Sequence, residues 1–215
     1  MKWYTDILHK MVDDYFSKHS QQSQDSSLVK ANIDQTIQAL EKLFASDGEI
    51  PIETLIGLVH NTFNLLNTTD KLTSGDISQK VLGYAIIFAK TACDQAIWTI
   101  DFTAYHPIKN VKTLNKYEQE ALQQLDFNTN INLSVIQTFE SILNKYATHQ
   151  DKLQLVETIA TYNNKGLLGD LYKNLRDQTR HPLVSRFLNQ ENLIDDHIKN
   201  GTGEAKGLTI GRLLG

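Results

Sequence analysis

The residue types that carry chemistry are scattered along this sequence. Seven histidines, His9, His19, His60, His106, His149, His181 and His197, form no His-x-x-x-His pair, no His-Glu-x-x-His motif and no Cys/His ladder. Those spacings are what bring several nitrogen or sulfur ligands to one ion, so neither a metal site nor a cofactor is expected. Cys93 is the one cysteine. No His or Asn is placed to draw off its proton, so it reads as a buried core thiol and not as a nucleophile. The stretch Gly201-Thr202-Gly203-Glu204-Ala205-Lys206-Gly207 has the glycines of a phosphate loop. Its lysine is followed by Gly207-Leu208 where such a loop needs Ser or Thr opening a helix, and no strand precedes it. A mobile tail over residues 201–215 is the expectation. Asp195-Asp196 reads as a solvated helix end, and Asp13-Asp14 as a solvated helix face. No catalytic residue is assigned, and the chain reads as a non-enzyme.

One charged cluster stands out. The arginines, Arg176, Arg180, Arg186 and Arg212, all lie late in the sequence. Arg176 and Arg180 share a helix face four residues apart, beside Lys173. A solvated basic face is the ordinary reading. A docking patch for an acidic partner segment is the sharper one, because guanidinium favours planar bidentate contacts.

Around these residues stands a chain of 215 residues, 40% apolar and 21% charged, with three prolines. That length suffices to bury roughly 70% of the unfolded surface without staples. A single cysteine allows no internal disulfide and fits a reducing compartment. The net charge of -4 and the pI near 6.0 weigh against nucleic acid, which is gripped by basic clusters. No apolar run approaches the roughly 20 residues that span a bilayer. The opening Met1-Lys2-Trp3-Tyr4-Thr5-Asp6 lacks a signal peptide's apolar block. A cytoplasmic protein with no membrane partner is expected, or one in a host cytosol if it is a secreted effector.

The periodicity predicts helices throughout. Trp3, Ile7, Leu8, Met11, Val12, Tyr15 and Phe16 recur at three- and four-residue steps, which makes residues 1–19 an amphipathic helix. That stripe should dock on its own core or on a second copy, so an oligomer through it is a further expectation. The polar stretch 20–27 reads as a flexible linker. Ile33, Ile37, Leu40 and Phe44 mark a second helix, and Pro51 suits the first turn of a third. Val81-Leu82-Gly83-Tyr84-Ala85-Ile86-Ile87-Phe88-Ala89 is apolar on every side, as a helix surrounded by its neighbours must be. Asp76 is a candidate cap for it, and Gly83 would admit a close neighbour. Val111 to Leu125 forms the next helix, and Ser134 with Gln137 reads as a capping box for another. Shorter helical patterns fill 148–200. Strand signals are absent.

Three pieces of this pattern resemble a cyclin box, most like the single-box Pho80-type cyclins. Val81 to Lys90 is similar to the family's buried third helix, with Asp94 following where relatives carry an acid. Leu114-Asn115-Lys116-Tyr117-Glu118-Gln119-Glu120-Ala121-Leu122 resembles its Leu-Asn-x-Leu-Glu-x-x-Phe-Leu helix. Leu125-Asp126-Phe127-Asn128, with Ser134 and Phe139, resembles its Leu-Asp-Phe turn and next helix. The resemblance implies an all-α, cyclin-like five-helix bundle over residues 28–147, around a buried central helix, with an extra N-terminal helix and C-terminal helices. It implies a non-catalytic module that binds and regulates a protein kinase, with Lys90, Glu118 and Asp94 at the partner surface. Left to themselves, Lys90 and Glu118 read as a structural ion pair at the junction of two helices, or as two separately solvated ends. The sequence departs from the family at Val59-His60-Asn61-Thr62-Phe63, which lacks the usual Asp-Arg pair, and in having no arginine before Arg176. Hence an alternative keeps the fold and changes the partner: a helical adaptor, inhibitor or secreted bacterial effector that binds a non-kinase protein.

Overall fold

The computed structural model describes residues 2–19, 23–46, 48–92, 96–161 and 166–179. Among them every regular element is a helix: α1 (Trp3–Lys18), α2 (Ser23–Leu43), α3 (Ile52–Thr68), α4 (Ser74–Ala92), α5 (Thr99–Tyr105), α6 (Val111–Gln124), α7 (Leu133–Tyr146), α8 (His149–Thr161) and α9 (Leu167–Thr179). Met1–Arg176 form one compact unit.

α4 is the centre. Leu82 is 2% exposed, and Ala85, Ile86 and Ala89 are fully buried. Its sides are covered by α2, α3 and α6. Two glycines make the fit. A Cβ on Gly83 would stand 2.5 Å from the Tyr117 carbonyl oxygen of α6 and 2.7 Å from the Ala121 Cβ. A Cβ on Gly57 of α3 would stand 2.3 Å from the Phe88 ring. Both helices therefore approach α4 at glycine distance. Inside this packing Thr54 satisfies its hydroxyl by donating to the Phe88 carbonyl, 3.1 Å away.

α1 is part of the same core. It packs on α2, α3, α7 and α8, and its stripe from Trp3 to Phe16 is buried within the chain. Of the two docking sites expected for this stripe, the chain's own core is the one that covers it. Trp3 meets the Phe139 ring edge-on at 6.0 Å, and the Tyr15 hydroxyl accepts the Leu72 amide at 2.7 Å.

Several local expectations change. The stretch 20–27 is not linker throughout, because α2 already begins at Ser23. Ser26 donates to Asp13 at 2.7 Å, and Lys30 lies 2.6 Å from the same carboxylate, so a partner on α1 fixes this polar turn as helix. Asp13 and Asp14 are accordingly not idle solvent-facing charges. Asp14 takes Lys145 at 2.7 Å and the Tyr146 hydroxyl at 2.6 Å, tying α1 to the end of α7. Asp76 is the third helical residue of α4 and not its cap. Thr73 caps, its hydroxyl accepting the Asp76 amide at 3.1 Å while Asp76 accepts the Thr73 amide at 3.0 Å. Thr148 and Asp151 repeat that box at α8. Ser134 does not cap α7; Asn132 does, accepting the Val135 amide at 3.1 Å. The short helix α5 had no counterpart in the periodicity. The tail 201–215, the residues 180–200 and the cysteine at 93 lie outside the described residues.

Candidate functional site

Lys90 lies in the last turn of α4, Thr99 opens α5, and Glu118 faces them from α6. Their side chains close a triangle. Lys90 Nζ is 2.6 Å from Glu118 Oε1 and 2.8 Å from Oε2. It also donates to Thr99 Oγ1 at 2.8 Å, and that hydroxyl donates to Glu118 Oε2 at 2.7 Å. Position in the helix supports the arrangement, since a cation in the last turn of α4 meets the negative end of its dipole. The side chains of Lys90 and Glu118 keep 26% and 15% of their surface exposed. The group is therefore partly desolvated and still reachable from outside.

Thr99 is buried, but its chain neighbours are not. Trp98 is 65% exposed and Ile100 57% exposed. Large apolar side chains are thus exposed beside the charge pair. Asp101 anchors this segment by accepting the Trp98 amide at 2.7 Å. Only half of a capping box forms here, since the Trp98 indole has no acceptor for the Asp101 amide, so no cap pattern in the sequence pointed to α5 or to Thr99.

The other candidates lie apart from this triangle. Asp94 falls outside the described residues, as does Arg180. Lys173 is on α9, 3.7 Å from Asp170 with both side chains well exposed. Arg176 places its guanidinium 5.7 Å from the centre of the Tyr172 ring. This part of the basic face is thus held by its own helix. No group of three or more His, Cys, Asp or Glu is arranged to hold a metal ion among the described residues. His60 and His106 are both held below the ordinary histidine pKa, chiefly by burial. No described helix is long and apolar enough to cross a membrane.

No family model, curated protein or solved structure matches the chain.

Proposed function

We propose that this chain is a cyclin-like interaction module that binds a protein kinase on the face where α4 ends beside α5 and α6. The observation that carries this reading is the Lys90–Thr99–Glu118 triangle at the end of the buried helix, bordered by exposed Trp98 and Ile100. In this reading α2, α3, α4, α6 and α7 stand for the five helices of the cyclin fold, and α4 is the helix the others surround. Binding acts by packing, so it requires no catalytic group. A charge pair already fixed by its neighbours loses little freedom when a partner covers it, and specific partner groups can then engage it.

A second reading, an adaptor for a non-kinase protein, draws on α5. Trp98 just before it and Ile100 in its first turn are exposed beside Thr99, and Tyr105 at its other end is 44% exposed. Residues 59–63 also lack the Asp-Arg pair of the cyclins.

The test is affinity capture from lysate with the wild-type chain and with Lys90→Ala/Glu118→Ala, followed by mass spectrometry. Recovery of a kinase that is lost with the double variant supports the first reading. Recovery of a non-kinase protein with the same dependence supports the second. Truncating interfacial charges costs roughly 2–5 kcal/mol of binding, and removing both members of this partly desolvated pair together leaves no lone charge buried. Circular dichroism should therefore show the double variant folded. Capture unchanged by the double variant would place the partner surface elsewhere.

A further inference from the structure

A pocket of 230 Å³ lies on other residues, between α2, the first half of α4, the loop joining α5 to α6, and α6. Asn32, Gln35, Ser78, Gln79, His106 and Tyr117 supply its polar wall. His106 is only 4% exposed. Its Nδ1 accepts the Ile108 amide at 3.2 Å, so the ring proton sits on Nε2. That Nε2–H has no hydrogen-bond partner among the described residues. Asn32 donates its amide to Ser78 Oγ at 3.0 Å, and Ser78 passes its own proton to the Ser74 carbonyl at 2.8 Å. The Asn32 side-chain oxygen is left as an acceptor. Leu82 and Ile108 give the pocket its apolar part, and no Lys, Arg, Asp or Glu lines it.

We propose that this pocket is a binding site for a small uncharged molecule, an amide-bearing ring, which accepts the His106 Nε2–H and donates to Asn32. Size follows from volume. A cavity of about 150 Å³ holds the six carbons of benzene, so one of 230 Å³ takes about nine non-hydrogen atoms. Charge follows from the wall. No charged side chain lines it, and the nearest cation, Lys109, is turned to the Thr103 and Ala104 carbonyls, so an ion taken from water there meets no direct partner and is penalised. Burial and the nearby Lys109 both favour the neutral imidazole, so His106 supplies a hydrogen bond and no cation. A buried donor whose ring is already locked by the Ile108 amide is a polar group of the kind that orients ligands in small-molecule sites.

Benzamide and benzoate share the required size and shape and differ in charge, which makes them the probes. Each is titrated into the full chain while the ring ¹H–¹⁵N signals of His106 are followed by NMR. Benzamide is expected to shift these signals saturably, and benzoate at equal concentration to leave them in place. Gln79→Trp, at a half-exposed helical position on the wall, fills the pocket and should abolish the benzamide shift with the helical circular dichroism unchanged. His106→Phe keeps a ring but removes the donor and should weaken benzamide at least tenfold, followed through Tyr117. Should that variant fail to fold, Gln79→Trp and the benzamide–benzoate comparison still decide. No shift with benzamide, an equal shift with benzoate, or a shift that survives Gln79→Trp would each overturn the proposal. The triangle at Lys90 shares no residue with this pocket, so failure here leaves the partner reading standing.

Discussion

Asp14 is the side chain on which one face of the molecule turns. Lys145 and the Tyr146 hydroxyl hold its carboxyl well below the usual carboxylate range, with Lys18 as a third donor. A depressed carboxylate stabilises the fold fully above its unfolded-state pKa, about 3.9, and that contribution is lost as pH falls through the folded-state value. Asp14→Asn should cost about 1 kcal/mol at pH 7, the scale of a partly exposed ion-pair network. The gap between variant and wild type should close on acidification below pH ~4, as read by urea unfolding at a series of pH values. His60 and His106 give a dependence of the same sign at higher pH. Burial lowers both, so their contribution is complete above about 6.5 and is lost as pH falls through the lower folded-state values. Wild type should therefore lose stability relative to His60→Gln between pH 7.5 and pH 5.5; a constant difference would refute this. Side-chain roles of this kind were poorly legible in the sequence. Asp13 and Asp14 fall opposite an apolar stripe and look solvated. Their partners Lys30 and Lys145 are fixed only once α2 and α7 are docked.

The helices themselves were easier to read, because burial imposes a period on them. α4 has no polar side between Val81 and Ala89, and only a surrounded helix tolerates that. Gly83 within it is where the α6 backbone rests. Gly83→Ala should destabilise by roughly 1–3 kcal/mol through overpacking, despite the better helix propensity of alanine. Thermal unfolding of Gly83→Ala beside Gly75→Ala separates the two effects. A Cβ at Gly75 comes no nearer than 3.6 Å to another atom, so that variant should not share the loss. Helix ends were read less well than helix bodies. Asn132 and Thr73 displaced the caps expected at Ser134 and Asp76. A cap depends on which short polar side chain has the extended backbone at the boundary, and several neighbours offer the same chemistry. α5 escaped because seven residues make too few turns to show a period.

At the scale of the molecule, the all-helical class follows from composition and period, whereas the closed triangle of Lys90, Thr99 and Glu118 depends on how three helices meet. Composition could not supply that meeting: the sequence offered Lys90 and Glu118 as a structural pair or as two solvated ends, and the resemblance put them at a partner surface. The same distance between sequence and space governs α1. Lys10 donates to the Tyr146 carbonyl at 2.9 Å across 136 residues of chain, and Trp3 rests on Phe139. During synthesis at about 5–20 residues per second, α1 is made on the order of 10 s before the helix that completes its pocket. For that interval the nascent chain carries Trp3, Ile7 and Met11 with only α2 and α3 to cover them. A ribosome-arrested chain ending before α7 should bind trigger-type holdases and be cut by protease within α1, and both susceptibilities should vanish once α7 and α8 have emerged. α1 is made before the helices that finish its pocket, so its apolar stripe is more open to other chains during synthesis than after folding.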